Sequence, residues 1–130
     1  MIGLDTTALI DLYKSDESLL NVIEGIDNSF VSTIINYQEI FFGINESDKS
    51  YEEETNFYNS IFNNLFVYDL TKEISRKASK ILWEIKKQRK DIGEFDCMIA
   101  GILLSNGVNK IITKNKKHFE NIDGLRVISY

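Results

Sequence analysis

The sequence predicts an α/β domain, a three-layer α/β/α sandwich around a central parallel sheet of about five strands. Short apolar segments alternate along the chain with longer segments whose apolar residues recur at helical spacing. The short segments are apolar throughout, which is typical of strands buried on both faces. The 130 residues have the length of one domain, so residues 1–130 are expected to form a single core. Topology rules for such sheets favour the strand order 3-2-1-4-5.

The first half of the chain contains three predicted strands and four predicted helices. Residues 2–4 are an apolar run, and apolar residues recur at helical spacing soon after Asp5. Proline is absent, so helix boundaries are recognised from capping residues and glycines. The predicted elements are strands at 2–4, 30–32 and 66–68, and helices at 8–13, 18–26, 36–43 and 50–63.

The second half begins with the longest predicted helix, which Thr71 caps and which extends to about residue 90. Its apolar stripe consists of Ile74, Ala78, Ile81, Leu82 and Ile85. Gly93 interrupts the chain, and an apolar helix follows until Gly107 ends it. The remaining predicted elements are that helix at 95–105 and strands at 111–112 and 126–129.

The composition, 43% apolar and 27% charged, is that of a soluble globular protein. No apolar run approaches the roughly 18 residues of a membrane span, and the N-terminus lacks the pattern of a secretory signal. A cytoplasmic location is therefore expected. Cys97 and His118 are single residues of their types, which excludes an internal disulfide, a cysteine–histidine zinc cluster and a histidine-pair ribonuclease mechanism.

The charge is unevenly distributed along the chain, although the net charge is only −5. Residues 1–71 hold two basic and thirteen acidic residues, while residues 72–130 hold thirteen basic and seven acidic residues. Such asymmetry can place a basic surface beside an acidic site, or it can be an ordinary solvated helix face. Charge alone therefore leaves a nucleic-acid partner open.

Candidate reactive side chains follow the predicted strands. Asp5 comes directly after the first strand, and Thr113 and Asn115 come directly after a later strand. Reactive groups of a parallel sheet collect beyond the carboxyl ends of its strands. Asp96 lies in the first turn of an apolar helix, and Glu39 lies in the helix after the second strand. The topology therefore allows the three acids to meet at one edge of the sheet.

Three converging carboxylates repel one another, and a hard cation such as Mg²⁺ or Mn²⁺ relieves that repulsion through oxygen ligands. Such a metal can activate water for attack on a phosphodiester. Each acid also has a simpler interpretation. Asp5 could be a helix cap, Asp96 a charge at a helix start, and Glu39 a surface charge. Residue types and spacing alone reach only a possible acidic metal site.

Three segments resemble the PIN domain family and, within it, the VapC toxins. The opening IGLDTTALIDLY resembles the family's first strand and helix, and STIINYQEIFFGI resembles its Ser/Thr…Glu-apolar…Gly element. The segment IGEFDCMIAGILLSNGVNKIITKNKKHFENIDGLRVISY is similar to the last third of VapC toxins, including an apolar-Thr-x-Asn strand end and a closing Gly-Leu-x-Val. The resemblance covers nearly the whole chain in order and spacing, and it implies the PIN-like α/β/α fold.

The resemblance also implies roles for individual residues. Asp5, Glu39 and Asp96 match the family's three acidic metal ligands, which are also its catalytic residues. Thr6 and Thr113 match hydroxyl residues that support the site.

Three further positions depart from the family pattern or supplement it. Asn115 stands where the family often carries Asp, which weakens a second metal site and leaves a two-metal mechanism open. Glu94 is a candidate to supplement the cluster. His118 falls where many members carry an acid, so no catalytic role transfers to it.

The implied function is endonucleolytic cleavage of RNA by a metal-activated water, with Mg²⁺ or Mn²⁺ as cofactor. A VapC-like toxin would be held inactive by a VapB-like antitoxin and would form a homodimer. Basic side chains near the site are expected to contact RNA phosphates. The candidates are Lys86, Lys87, Arg89, Lys90, Lys114, Lys116 and Lys117.

Two hypotheses from other classes remain. A non-catalytic PIN module could bind RNA or protein, and metal binding with turnover would distinguish the nuclease from it. A phosphatase or phospho-acceptor domain could place acids at the same sheet edge. The haloacid-dehalogenase pattern requires an acid where Thr7 stands, and Asp69 lacks the surroundings of a receiver's acceptor, so this hypothesis is weaker.

Overall fold

The computed structural model describes residues 1–130 and contains one sheet of five short strands. The strands are β1 Ile2–Leu4, β2 Phe30–Thr33, β3 Phe66–Tyr68, β4 Lys110–Ile112 and β5 Arg126–Ile128. The strand order is β3-β2-β1-β4-β5, and every neighbouring pair is parallel. The predicted fold class and strand order are therefore confirmed.

Seven helices connect the strands. They are α1 Thr6–Tyr13, α2 Glu17–Glu24, α3 Ile34–Phe42, α4 Tyr51–Asn64, α5 Lys72–Lys87, α6 Glu94–Ser105 and α7 Lys116–Phe119. The predicted helices agree with these to within a few residues at each boundary. The sequence prediction missed α7, because four residues are too few to display a helical period.

The long helix α5 ends at Lys87 and not near residue 90 as predicted. Arg89 has a φ of 57°, a left-handed conformation that cannot continue a right-handed helix. Only Gly93 marked an end in the sequence, and non-glycine residues seldom adopt positive φ, so the earlier stop was not visible there. The start is as predicted, because the Thr71 hydroxyl accepts the Ile74 N–H at 3.2 Å.

The sheet separates two apolar cores. Adjacent residues of β4 point to opposite sides, with Ile111 in one core and Ile112 in the other, and both are fully buried. The core on one side receives α5, α6 and α7, and the core on the other receives α1, α2, α3 and α4. These two helical layers leave the carboxyl ends of the strands accessible, which is where a site can form.

None of the helices combines the length and the apolar character that crossing a membrane requires.

Candidate active site

A pocket of about 500 Å³ lies where β1, β2 and β4 end, and we call it the acid pocket. Asp5, Glu39 and Asp96 all line it, so three acids that are far apart in the sequence meet at one place. Asp5 directly follows β1, Glu39 lies on α3 after β2, and Asp96 lies in the first turn of α6. The lining residues are Asp5, Thr6, Thr7, Glu39, Gly93, Glu94, Phe95, Asp96, Asn115 and His118.

Asp5 is the buried acid of the pocket, with 4% of its surface exposed. It occupies the N-cap position of α1, yet its carboxylate makes no capping hydrogen bond. Its Oδ2 instead accepts from the Thr113 hydroxyl at 2.7 Å, and its Oδ1 accepts from Asn36 Nδ2 at 3.3 Å. The simpler interpretation of Asp5 as a capping side chain therefore does not hold, because its carboxylate is held by groups distant in sequence.

Glu39 is partly buried and is held from the side of α1. The Thr6 hydroxyl donates to Glu39 Oε1 at 2.7 Å. The same hydroxyl oxygen accepts from Asn36 Nδ2 at 3.1 Å. A hydroxyl has a single proton, which Thr6 donates to Glu39. The Thr6 oxygen then acts as the acceptor for the hydrogen bond from Asn36. Glu39 is therefore fixed in a network and is not a free surface charge.

Asp96 is paired with His118, to which sequence reasoning assigned no role. His118 Nδ1 lies 3.0 Å from Asp96 Oδ2, and the Asp96 side chain is 16% exposed. Gly93 leaves space for this carboxylate, because a Cβ at that position would stand only 3.2 Å from Asp96 Oδ2. The histidine is carried by α7, the helix that the sequence did not predict.

The acids of the pocket share a deficit of compensating charge. The pKa of Asp96 is raised to about 6, chiefly by burial and also by the charges of Asp5 and Glu39, while His118 opposes the shift. Burial likewise raises the pKa of Asp5, against the lowering effect of the Thr113 hydrogen bond. Burial and the charge of Asp5 raise the pKa of Glu39. All three carboxylates would therefore be stabilised by a cation in the pocket.

The segment after β4 supports the pocket through hydroxyl and backbone contacts. Thr113 is fully buried, and its hydroxyl lies 3.2 Å from that of Thr7. The Lys114 N–H donates to the Thr7 hydroxyl at 3.1 Å, and the Asn115 N–H donates to the Thr113 hydroxyl at 3.0 Å. The Asn115 side chain lines the pocket, as does exposed Glu94. Of the predicted supporting residues, Thr6, Asn115 and Glu94 therefore line the pocket, and Thr113 contacts it through Asp5.

Three of the candidate RNA-binding residues have protein partners. Lys86 Nζ lies over the Trp83 ring, 5.0 Å from its centre. Lys114 Nζ lies 3.3 Å from Asp11 Oδ2, and Lys90 Nζ donates to Asn121 Oδ1 at 3.0 Å. All seven candidates have exposed side chains, and the other four are Lys87, Arg89, Lys116 and Lys117. Lys114 is less available to phosphate than the sequence implied, because its charge is already partly neutralised by a carboxylate.

The structure contains no group of three or more His, Cys, Asp and Glu side chains that would hold a metal ion as they stand. The donor chemistry of the pocket nevertheless fits a hard divalent cation. Asp5, Glu39 and Asp96 offer carboxylate oxygens, which Mg²⁺ and Mn²⁺ prefer. The raised pKa of all three acids has the same physical cause, since negative charge is buried there without an equal positive charge. These are the residues that would hold a metal.

Sequence reasoning missed three residues of the site besides His118. Asn36 is completely buried among the acids, Thr7 joins the hydroxyl network, and Phe95 lines the pocket with 44% of its surface exposed. Asn36 has the appearance of an ordinary polar residue in a first helical turn. No local pattern marks it, because its burial depends on how α3 packs against α1 and the sheet.

The sequence profile of the PIN domain family matches residues 2–125 of the chain. The resemblance drawn from the sequence motifs is therefore confirmed at the level of the family. No protein with a curated description matches the chain.

Solved structures with the same fold include several VapBC complexes. One similar chain belongs to the structure of VapBC2 from Rickettsia felis bound to a fragment of promoter DNA. The identity is 21% and the TM-score is 0.84, with coverage of 100% of this chain and 99% of that chain. The chain is also similar to one in VapBC-1 of nontypeable Haemophilus influenzae, with 26% identity, a TM-score of 0.80 and coverage of 99% and 98%.

A third similar structure is that of VapC20 of Mycobacterium tuberculosis, a sarcin-ricin loop cleaving toxin. The identity is 9% and the TM-score is 0.72, with coverage of 97% of this chain and 99% of that chain. The full-length coverage in all three comparisons means that they align the whole domain and not a fragment of it.

Proposed function

We propose that this chain, which belongs to the PIN domain family, is a metal-dependent endoribonuclease that acts as the toxin of a toxin–antitoxin pair. The observation that carries the proposal is the meeting of Asp5, Glu39 and Asp96 in one pocket at the carboxyl ends of the strands. Their raised pKa values support a cation as the missing partner.

Asp5, Glu39 and Asp96 would hold Mg²⁺ or Mn²⁺. A bound divalent cation would stabilise the phosphate charge that develops during cleavage and would activate the attacking water. The chain's own residues prepare the ligands for this role. Thr113 and Asn36 hold the Asp5 carboxylate, and Thr6 holds that of Glu39. Fixed ligand orientation is what outer-shell partners contribute to a metal site.

RNA is the proposed substrate for three reasons. The PIN family resemblance implies it, and a structurally similar toxin is described as cleaving the sarcin-ricin loop. Exposed Phe95 also offers a ring on which an unpaired base could stack beside the acids. The exposed basic residues at the end of α5 and around α7 would contact phosphates, with Lys114 contributing less because it pairs with Asp11.

The proposed partner is a VapB-like antitoxin, because the similar solved structures include toxin–antitoxin complexes. We propose that the toxin works in the cytoplasm, where RNA is available, and that it forms a homodimer as the resemblance to VapC implies. Co-purification with the product of a neighbouring small reading frame would test the partner, and sedimentation of the purified chain would test the dimer.

Asparagine substitutions test the nuclease directly. Asp5→Asn or Asp96→Asn preserves the side-chain shape but removes the charge that a metal requires. We expect cleavage of single-stranded RNA with Mg²⁺ or Mn²⁺ to fall by more than the roughly 10- to 100-fold that loss of an outer-shell partner costs. Circular dichroism would establish that each variant is folded.

Asp27→Asn is a matched control, because Asp27 is exposed and precedes β2 at the opposite end of the strands. It should cleave RNA at the rate of the unmodified protein. Full activity in a folded Asp5→Asn or Asp96→Asn variant would remove that residue from the mechanism. An unmodified protein that binds RNA but never cleaves it with either metal would favour the non-catalytic module instead.

A further inference from the structure

We propose that Asn36 is a positioning residue that fixes the Asp5 and Glu39 carboxylates relative to each other. The inference deepens the proposed function, since it concerns how two of its metal ligands are oriented. Asn36 lies in the first turn of α3 and is completely buried. A buried amide must satisfy its donors and acceptor within the protein, so its hydrogen bonds define its orientation.

The Thr33 hydroxyl fixes which end of the Asn36 amide faces the acids. It accepts the Asn36 backbone N–H at 3.2 Å as the helix cap, and it donates to Asn36 Oδ1 at 2.7 Å. The oxygen of the amide is therefore turned toward Thr33, and the NH₂ group is turned away from it. The cap of α3 and the orientation of the amide are determined by one residue.

The NH₂ group of Asn36 donates one hydrogen bond toward each acid, directly to Asp5 and through Thr6 to Glu39. One bond goes to Asp5 Oδ1 at 3.3 Å, and the other goes to Thr6 Oγ1 at 3.1 Å. Thr6 passes the connection on, because its hydroxyl donates to Glu39 Oε1 at 2.7 Å. Every donor in this series has a matching acceptor, so Asp5 and Glu39 are held by branches of one network that starts at Asn36.

The chemistry of an amide suits this place better than that of a charged donor. A lysine or arginine beside Asp5 and Glu39 would neutralise the charge that the proposed metal requires, whereas the two N–H groups of Asn36 hold both branches without a net charge. An aspartate would add a further negative charge to carboxylates that already lack compensation. The geometry therefore assigns Asn36 to ligand orientation.

The primary test replaces Asn36 by leucine, which has a similar volume and no donor. Two quantities are measured: the affinity for Mn²⁺ alone, without RNA, and kcat and KM for a single-stranded RNA. We expect Mn²⁺ affinity or kcat to fall by roughly 10- to 100-fold, with KM for RNA little changed. Asn106→Leu is the matched control, because the Asn106 side chain bonds to the Ile102 carbonyl at the far end of α6, and the substitution should change neither quantity.

Thr6→Val is a second variant, which removes only the hydrogen bonds that lead to Glu39. It can still be measured if the Asn36→Leu protein does not fold. It should reduce Mn²⁺ affinity or kcat less than Asn36→Leu does. The double variant should show a smaller reduction than the product of the two single reductions, since residues of one network are coupled. Multiplicative reductions would overturn the inference, as would an Asn36→Leu protein that is less stable but has unchanged Mn²⁺ affinity and kcat.

The failure of the inference is distinguishable from the failure of the proposed function. If the unmodified protein binds Mn²⁺ but cleaves no RNA, the nuclease proposal falls while the ratio of Mn²⁺ affinities still decides the role of Asn36. If the unmodified protein cleaves RNA and the Asn36 variant equals it in kcat and Mn²⁺ affinity, the nuclease proposal remains and the positioning role is rejected.

Discussion

At the scale of single residues, the acid pocket is a compromise between burial and charge. Asp96 lies 3.0 Å from one nitrogen, His118 Nδ1, while two other carboxylates line the same pocket. One histidine does not compensate the charge of one buried and two partly buried acids, and the pKa values of all three are raised. Burying the charge of the carboxylates that carry the proposed function therefore has a cost in folding free energy.

This cost predicts an unusual pH dependence of stability for the metal-free protein. The pKa of Asp96 is raised to about 6, above its ordinary value of 3.8, so the folded state binds the proton more tightly than the unfolded state. Its contribution to stability is therefore complete below the unfolded pKa and is lost as pH rises through about 6. Between pH 7 and pH 5, protonation of Asp96 should stabilise the metal-free fold by on the order of 1 kcal/mol.

Urea unfolding at pH 7 and pH 5 measures this effect, with Asp96→Asn as the comparison. The asparagine variant should lack most of the gain, because it removes the group that takes up the proton. His118, Asp5 and Glu39 act on Asp96 and are present in both proteins, so the difference between the two proteins reports on Asp96. Identical pH dependence in the two proteins would contradict the prediction.

At the scale of elements, α6 is positioned by its close contact with α5. Gly101 on α6 faces Ala78 on α5, and a Cβ at Gly101 would lie 3.3 Å from the Ala78 backbone nitrogen. This close approach places the first turn of α6, and with it Asp96, at the edge of the sheet. Ala78, Ile81 and Ile85 form the buried side of α5 in this contact.

Gly101→Val should therefore separate α5 from α6. The added methyl groups extend beyond a Cβ that is already tightly placed against backbone, so relaxation requires a helix to shift. We expect a reduction of about 1–3 kcal/mol in the free energy of unfolding, measured by urea denaturation. Ser105→Val on the same helix is exposed and should cost little. Equal stability of both variants would show that α6 is not held by this contact.

At the scale of the whole molecule, a net charge of −5 hides two regions of opposite sign. The residues after position 71 carry most of the basic side chains, and eight of them lie between 72 and 90. Lys86 lies near the start of α6. Burial raises the pKa of Cys97 on that helix to about 11, and the positive charge of Lys86 opposes this shift. The end of α5 therefore places positive charge near the start of α6, the helix that carries Asp96 in its first turn.

The double variant Lys86→Glu, Lys87→Glu tests whether this charge binds RNA. Affinity for single-stranded RNAs of any sequence should fall, and the slope of log affinity against log salt should flatten by roughly 0.7 for each phosphate that the protein no longer neutralises. Mn²⁺ binding should be unchanged. Lys77→Glu, Lys80→Glu is the matched control, because it makes the same charge change near Ser105 at the other end of α6.

Equal reductions of RNA affinity in the two double variants would mean that only the overall charge matters. Unchanged RNA affinity together with abolished antitoxin binding would assign the end of α5 to the protein partner and not to the substrate.

The sequence by itself determined the fold class, the strand order and three acids that meet in one pocket. Apolar runs, Thr71 as a cap and Asp5 at a strand end are local signals, and the topology of a parallel sheet brings strand ends together whatever the side-chain details. The tertiary structure alone decided which groups hold those acids. Asn36 and His118 have no distinguishing local pattern, because burial and pairing arise from contacts between α3, α7 and segments far away in the sequence. It also decided that the exposed side chain of Lys114 pairs with Asp11, because 103 residues separate the two partners in the sequence.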